Sequence, residues 1–329
     1  MNKALASLLF FALPAYAETD IRFFNVIYEN DIFFQEDGGY TNGFALNYAR
    51  GFDAPFSERN APSLLLPLVE HAGFNRASDR MRGISYQFGQ IMSTPEDITT
   101  PELIADQQPY AGLLMGRINF YGLTEQSSRR LGFIAGVVGP ASGAEQSQKL
   151  VHHITGSKQP QGWDNQLKTE PVFRLESSRT RRLWTTQFGR TLGGDVSAIA
   201  EGGIGNLASD LGFGMRLRFG ARLNESFPIA MDLPGREINP TAGMHNTHWH
   251  FFINLEGRYV FNDILIEGNS YQDSHGVELT HEQVRLGFGA SINLGNWAFT
   301  YEGAFTSKEY ATQPGTGKFG SISFTYRLR

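Results

Sequence analysis

The stretch LGFGMRLRF, residues 211–219, alternates between two kinds of side chain. Every odd position holds a large apolar residue, from Leu211 to Phe219, and every even position holds glycine or arginine. Successive side chains of a β-strand point to opposite faces of the sheet. A period of two therefore predicts a strand with one apolar face and one polar face.

The same alternation recurs along the chain and predicts twelve strands. From Trp249 to Tyr259 it runs over eleven residues, whose ten steps at about 3.3 Å each and a tilt of about 40° span about 25 Å, the height of the apolar band of a bacterial outer membrane. The predicted strands are residues 22–32, 41–52, 82–92, 112–123, 130–139, 171–179, 182–200, 210–220, 247–261, 283–294, 297–306 and 318–328.

Composition favours a membrane barrel over a soluble sandwich. Glycine accounts for 37 of 329 residues, aromatic residues for 13%, and the mean hydropathy is only −0.28. Abundant glycine and aromatics with low mean hydropathy are typical of outer-membrane barrels. We predict an all-β fold, a transmembrane antiparallel β-barrel of about twelve strands in the bacterial outer membrane. The alternative is a soluble β-sandwich, whose apolar strand faces would form a core.

The first 17 residues have the pattern of a secretory signal peptide. Lys3 precedes an apolar run, Ala4–Leu13, and Ala15-Tyr16-Ala17 forms a small-x-small cleavage site. The run is too short for a membrane-spanning helix. We expect a leader at 1–17 and a barrel at 18–329. Without the leader, 27 basic and 33 acidic side chains give a net charge of −6, which offers no basic face for nucleic acid.

Strand parity predicts which connections face outward. With both termini in the periplasm, residues 35–40, 93–111 and 140–170 lie in extracellular connections. The connections at 53–81 and 221–246 are then periplasmic and unusually long, since periplasmic turns are normally short. The first contains an apolar run, Leu64–Val69, which predicts a small amphipathic helix. No function is predicted for either connection.

The third extracellular connection contains a predicted short helix. Ser142-x-x-Glu145 has the spacing of a capping box at a helix start, and Gly156 suits its end. At 100° per residue, His152 lies on the same side as Glu145 and Gln148. The opposite side is an apolar stripe of Leu150, Val151 and Ile154. A surface helix with an exposed histidine is the purely structural interpretation.

The first hairpin gathers oxygen-bearing side chains at the same rim. Asn30 and Asp31 end the first predicted strand, and Thr41 begins the second. Carboxylate, amide and backbone carbonyl oxygens are ligands that Ca²⁺ prefers. The alternative is a polar rim stabilised by side-chain-to-backbone turn bonds, which asparagine and aspartate favour.

Several motifs together resemble one known family. They are Glu29-Asn30-Asp31, Tyr40-Thr41-Asn42-Gly43, QPYAG at 108–112, Gly139-Pro140 with His152 thirteen residues after Gly139, and GWDNQL at 162–167. The set is similar to that of the outer-membrane lipid A 3′-O-deacylase family. The layout of the resemblance spans the whole barrel, and its specific motifs lie in the first half of the chain.

The resemblance implies a twelve-stranded barrel that removes the 3′-linked acyloxyacyl chain from lipid A in the outer leaflet, with Ca²⁺ as cofactor. The positions carried over are Asn30, Asp31, Thr41 and His152. His152 would be the general base that activates water. Asp31 would hold the metal, which stabilises the oxyanion, and Asn30 or Thr41 would orient the substrate or complete the metal shell. Lipopolysaccharide and outer-membrane lipids are the expected partners.

One position departs from the family pattern. The deacylases have a glutamate six residues after the histidine, where this chain has Lys158. Asp164 or Glu145 are possible substitutes, or the chain acts on another lipid ester. His153 ranks below His152 on spacing. The competing functions are a non-enzymatic channel or structural barrel, and a calcium-dependent phospholipase. No G-x-S-x-G motif supports a serine nucleophile.

Three groups of basic or histidine residues lie outside the motifs of this family. His245, His248 and His250 resemble a transition-metal site, but strand parity places them at the periplasmic end, where we expect an incidental role. The cluster Arg179–Arg182 is predicted to form a solvated periplasmic turn. Lys149 and Lys158, at the outer rim, are candidates to contact lipid A phosphates.

Overall fold

The structure is a computed structural model that describes residues 20–31, 39–223 and 248–328, without the side chains of residues 39–41. The predicted leader, residues 1–17, lies outside the described residues. So do the tip of the first hairpin, the side chain of Thr41, His245 and most of the connection predicted at 221–246.

Twelve antiparallel strands form one closed barrel, as the alternation predicts. Each strand pairs with its neighbours in sequence, and the first pairs with the last, so that Arg22 lies opposite Leu328. The strands are β1 Asp20–Asn30, β2 Gly39–Phe52, β3 Met81–Thr94, β4 Ala111–Leu123, β5 Ser127–Val138, β6 Glu170–Phe188, β7 Leu192–Ile204, β8 Ala208–Ala221, β9 His248–Asp263, β10 Glu282–Leu294, β11 Trp297–Thr306 and β12 Gly317–Leu328.

The apolar faces of the strands point outward and the polar faces point into the lumen. In β8, Phe213 is 61% exposed and Leu217 is 49% exposed, whereas Arg218, on the opposite face of the strand, is 1% exposed. A soluble sandwich would bury the apolar side chains and expose the arginine. The arrangement is that of a membrane barrel with lipid outside.

Ion pairs fill the middle of the lumen. Glu176 is buried among three arginines, Arg117, Arg130 and Arg174. Asp210 then links Arg174, at 2.9 Å, to Arg258, at 3.4 Å. Buried charges are stable only when they are paired and hydrogen-bonded, and here each carboxylate has arginine partners on neighbouring strands. The lumen is therefore a packed polar core rather than an open pore at this level.

One predicted boundary is wrong. The turn predicted between residues 179 and 182 does not exist, because β6 continues to Phe188 and the chain turns at Gly189, which has a φ of +71°. The period of two persists through the arginines: Arg179 and Arg181 are exposed, and Thr180 between them is buried. Arg182 forms a lumen ion pair with Asp195 at 3.4 Å. The basic run is therefore part of a strand and not a solvated turn.

Three short helices occur in the connections: α1 Leu66–His71, α2 Ala144–Thr155 and α3 Ile264–Glu267. No helix in the described part of the chain is long and apolar enough to cross a membrane. The helix predicted near residues 64–69 is confirmed as α1, preceded by a 3-10 turn at Ser63–Leu65. The predicted helix at His152 is confirmed as α2.

The start of α2 differs from the prediction. Residues Pro140–Ser142 form a 3-10 turn, and Gly143, at a φ of +70°, is the N-cap. The Ser142 hydroxyl donates to the carbonyl oxygen of Gly139 at 2.6 Å and accepts from the backbone N–H of Ala144 at 3.4 Å, instead of from the N–H of Glu145 as a capping box requires. Gly156, at a φ of +73°, ends the helix as predicted, because a left-handed residue at that point suits glycine.

Candidate active site

The end of β1 forms a buried, oxygen-rich edge at the outer rim. Glu29 is 1% exposed, Asn30 is 9% exposed and Asp31, directly after the strand, is 3% exposed. Asn30 lies opposite Asn42 of β2, whose side chain is hydrogen-bonded to the Tyr28 hydroxyl. Strand alternation places Tyr28 and Asn30 on the outer face of the wall. The amide and hydroxyl groups of Asn30, Asn42 and Tyr28 are thus grouped on the outer face at the rim, and the buried carboxylates of Glu29 and Asp31 flank Asn30 in the chain.

Thr41 lies at an irregularity in β2. Tyr40 and Asn42 of β2 pair with the consecutive residues Ser93 and Met92 of β3. Thr41 is therefore the extra residue of a bulge. Bulges redirect side chains and are common beside functional sites. The backbone of Thr41 is therefore one strand away from Asn30 and Asp31, and its side chain lies outside the described residues.

Helix α2 lies against the outer surface of β3 and β4, near this edge. Ala144 packs with Met92, Tyr110 and Trp163 in one buried cluster. At Gly112 of β4 a Cβ atom would collide with Ser142 and Ala144, so glycine allows the loop to approach the wall. The side chain of Gln90 fixes the loop by donating to the carbonyl oxygen of Ser142 at 2.7 Å.

Trp163 of the same buried cluster also supports α2 through a hydrogen bond. The Trp163 indole is 1% exposed and its ring centroid is 5.1 Å from that of Tyr110. Its Nε1 donates a hydrogen bond of 2.7 Å to Oε1 of Gln148 on α2. This bond fixes the Gln148 amide, which is 2% exposed. Among the described residues, Nε2 of Gln148 has no hydrogen-bond partner.

His152 lies one helical turn after Gln148 and is half-buried. Its Nδ1 is 2.5 Å from the carbonyl oxygen of Lys158. A carbonyl oxygen only accepts hydrogen bonds, so Nδ1 carries the proton. In the neutral ring, Nε2 then has the lone pair and can accept a proton. His153, the next residue, is exposed.

The carboxylates predicted to replace the missing glutamate do not orient His152. Glu145 is held by Lys149 at 2.6 Å and by Gln166 at 3.5 Å. Asp164 is exposed, in a 3-10 turn at Gly162–Asn165. The residue that contacts Nδ1 is Lys158 itself, through its backbone. Lys149, a predicted phosphate contact, is ion-paired within the helix.

The edge of β1 and the helix are neighbours on one rim. Asn30, Asn42 and Met92 form a transverse row across β1, β2 and β3. Adjacent strands are about 4.8 Å apart, so Asn30 and Met92 are about 10 Å apart. Met92 in turn contacts Ala144 at the start of α2. Two segments more than a hundred residues apart in sequence therefore lie on the same outer surface of the barrel.

The donor chemistry of the β1 edge fits a hard cation. Asp31 supplies a buried carboxylate, and Asn30 and Asn42 supply amide oxygens. In the described part of the chain, no group of three or more His, Cys, Asp or Glu residues could hold a metal ion. A calcium ion at this edge would therefore need amide, backbone carbonyl and water ligands as well, which calcium accepts readily.

The histidines considered as another metal site lie elsewhere. His248 and His250 start β9 at the periplasmic end, with stacked rings 6.5 Å apart. Neighbouring Arg216 and Arg218 make the surroundings cationic, which disfavours a metal ion.

A family model described as outer membrane protein LpxR matches residues 4–328. The chain belongs to the LpxR family. Membership confirms the family resemblance drawn from the motifs and establishes the bacterial outer membrane as its location.

A solved structure has a similar barrel fold. LpxR from Salmonella typhimurium matches with a TM-score of 0.74 at 18% identity, covering 92% of this chain and 99% of that chain. At this identity the likeness shows the fold alone. The beta domain of the Bordetella autotransporter BrkA matches with a TM-score of 0.42 at 10% identity, covering 94% and 98%. The curated proteins include no match to this sequence.

Some residues that shape this LpxR-family site were not found from the sequence. The QPYAG and GWDNQL motifs supply Tyr110, Gly112 and Trp163, which hold α2 on the wall. The sequence marked them as family features without a physical role. The sequence predicts that Gln148 lies on the His152 side of the helix. It does not predict the hydrogen bond from Trp163, fifteen residues later, that fixes the Gln148 amide.

Proposed function

We propose that this LpxR-family protein is an esterase that removes the 3′-linked acyloxyacyl chain from lipid A in the outer leaflet. The observation that supports it most is the contact between His152 Nδ1 and the Lys158 carbonyl, on a helix held outside the barrel wall. That contact leaves the lone pair of Nε2 as a base, on a helix that lies against the lipid-facing side of the wall. General-base catalysis requires an oriented lone pair within reach of a water molecule.

The reaction needs one water and one returned proton. Nε2 of His152 takes a proton from water while the water oxygen attacks the ester carbonyl carbon. The tetrahedral intermediate then collapses, and the bond to the 3′ oxygen of the sugar breaks. The imidazolium gives its proton to that oxygen. The products are the free acyloxyacyl acid and lipid A with a 3′-hydroxyl group.

The developing negative charge on the carbonyl oxygen needs stabilisation. Bound calcium, held by Asp31 with oxygen ligands from Asn30 and its neighbours, would supply positive charge for this purpose. Asn30 and Thr41 orient the substrate at the rim. The Gln148 amide, one turn before His152, offers an N–H donor that is already fixed by Trp163.

The outer side of α2 suits an acyl substrate. Leu150 is 60% exposed and Ile154 is 73% exposed, on a helix outside the wall. These side chains face the acyl layer of the outer leaflet, so the substrate enters from the membrane. The lumen does not take part, because its charged residues are paired and buried. This arrangement also disfavours the channel alternative.

Mass analysis of lipid A tests the proposal. Cells expressing the protein should yield lipid A lighter by one acyloxyacyl unit, and the shift should disappear in His152→Asn. His153→Asn, at the adjacent exposed position, is the matched control and should retain the shift. Calcium chelation of the purified protein should stop the reaction. Unaltered lipid A with lysophospholipid production would identify a phospholipase, and unaltered lipid A with ion conductance would identify a channel.

A further inference from the structure

The connection between β2 and β3, residues 53–80, lies outside the barrel wall at the periplasmic end. We call it the periplasmic foot. Strand alternation places Ile84, Phe120 and Leu131 on the outer face of β3, β4 and β5, yet these side chains are at most 7% exposed. Phe88, on the same face of β3, is 58% exposed. The covering residues belong to the foot, and they are Phe56, Ala61, Val69 and Phe74.

Two arginines on the outer face of the wall bind the foot through hydrogen bonds and an ion pair. Arg82 of β3 donates hydrogen bonds to three foot carbonyls, those of Asp53 at 2.8 Å, Phe74 at 3.3 Å and Arg76 at 2.7 Å. Arg129 of β5 pairs with Asp79 at 2.6 Å. Gly122 of β4 leaves room for that pair, since a Cβ atom there would lie 2.9 Å from the Arg129 guanidinium. The foot is thus fixed to the outer surface and does not hang below the barrel.

The outward side of the foot exposes leucines. Leu64 is 88% exposed and Leu68 is 38% exposed, although Val69 beside them is fully buried. The wall next to the foot exposes Tyr86 and Phe88 to lipid. The leucines therefore continue the lipid-facing surface of the barrel. The exposed charges of the foot balance, with Arg59, Arg76 and Arg80 against Asp53, Glu58 and Glu70.

We propose that the periplasmic foot binds the inner-leaflet glycerophospholipids of the outer membrane, with Leu64 and Leu68 entering the acyl region. A short amphipathic segment with mixed charges and exposed leucines has the composition of an interfacial element. Its balanced charges suit a zwitterionic headgroup layer. The foot would fix the height of the barrel in the membrane, independently of the deacylase function proposed for the opposite rim.

The absence of cysteine from the sequence allows a clean test. Single-cysteine variants carrying a nitroxide label are reconstituted in vesicles of phosphatidylethanolamine and phosphatidylglycerol. Leu64→Cys and Leu68→Cys report on the foot, Phe88→Cys on the lipid-facing wall, and Glu102→Cys on an exposed extracellular loop. Power saturation then measures how often each nitroxide collides with oxygen, which is enriched in lipid, and with a water-soluble nickel chelate, which is present on both sides of the membrane.

The proposal predicts an oxygen-to-nickel collision ratio at Leu64→Cys that is shifted toward the Phe88→Cys value. Heat-modifiable migration on gels confirms that each variant is folded. A ratio at both leucine positions equal to that of Glu102→Cys would overturn the proposal, because the foot would then face water. Spectral broadening that disappears on dilution with unlabelled protein would also overturn it, in favour of contact with a second copy.

Discussion

At His152, one hydrogen bond separates the roles of the two ring nitrogens. Nδ1 is committed to the Lys158 carbonyl, and Nε2 is left to accept a proton. In related catalytic arrangements a carboxylate holds the histidine. Here the backbone of the residue at the family's glutamate position makes that contact, so a lysine side chain at 158 does not by itself remove the orienting group.

Substitution of the Lys158 side chain tests this interpretation. Lys158→Ala preserves the backbone carbonyl, so the initial rate of acyl release from lipid A should change only a few-fold. His152→Asn, measured beside it, should lose activity by at least about 100-fold, the usual contribution of a general base. Equal losses in the two variants would mean that the lysine side chain itself acts in the reaction.

Asp97 lies in the loop between β3 and β4, where it accepts hydrogen bonds from Thr99 and Thr100. Hydrogen bonds from the Thr99 side chain, the Thr100 side chain and the Thr99 backbone lower the pKa of Asp97 to about 2, with a further contribution from the positive Lys158. A lowered carboxyl pKa contributes stability above the ordinary value of 3.8, and that contribution is lost as the pH falls through about 2.

The double variant Thr99→Val, Thr100→Val should therefore raise the pKa of Asp97 toward 3.8. Carbon-13 NMR of the labelled carboxyl in detergent micelles measures it directly. Lys158→Ala is the comparison and should raise the pKa less, because the charge is the weakest of the causes. An unchanged pKa in the double variant would show that the threonine hydroxyls do not bond to this carboxylate.

At the scale of elements, the position of α2 depends on the smallness of Gly112. Gly112→Ala should push Ser142 and Ala144 away from the wall, since a Cβ atom has no room there. A displacement of about 1 Å at a catalytic group can lower the rate about 100-fold. Gly116→Ala, on the same face of β4, is the matched control, because its Cβ would lie 4.0 Å from the nearest atoms.

The rate of lipid A deacylation by both glycine variants, with the unfolding transition of each, checks this prediction. Gly112→Ala should lose activity while its barrel unfolds like that of Gly116→Ala. Full activity in Gly112→Ala would mean that α2 does not need to lie against the wall.

The elements themselves were largely predictable from the sequence, and their contacts were not. Period-two alternation identified all twelve strands, because a lipid-facing strand must be apolar on one face. The alternation continues through Arg179–Arg182 in the middle of β6, and the predicted turn there was wrong because a run of charges is also typical of a solvated turn. Helix α2 was predictable from its apolar stripe of Leu150, Val151 and Ile154 and from Gly156 at its end. Its capping depends on the local backbone conformation of Gly139–Gly143, and its support by Trp163 depends on residues that folding brings together.

At the scale of the whole molecule, the lumen ion pairs replace a hydrophobic core. Glu176 has a side-chain exposure of 1% and contacts three arginines. Glu176→Gln would leave those arginines without their shared partner. Breaking a buried pair by removing one member costs about 3–5 kcal/mol. We expect the free energy of unfolding to fall by that amount, measured by urea titration in lipid vesicles.

Glu125→Gln is the control for that measurement. Glu125 pairs with Arg80 at the periplasmic surface, where both side chains are more than 60% exposed. Exposed pairs contribute at most about 1 kcal/mol. Similar losses in the two variants would contradict a buried ionic core. The alternation predicted a polar lumen, but which charges pair across it follows from strand register, which the sequence alone does not specify.

The central claim is that the β1 edge and the α2 histidine act on one ester at the lipid-facing lip of the barrel. A crystal structure of His152→Asn with uncleaved lipid A bound tests it most directly, through the positions of residue 152 and the Asp31 carboxylate around the 3′ ester. The account predicts that the carbonyl lies between them, at a separation of about 10 Å or less, which leaves room for the carbonyl and one water. A 3′ ester bound inside the lumen, or a residue 152 turned away from Asp31 toward the opposite rim, would contradict it.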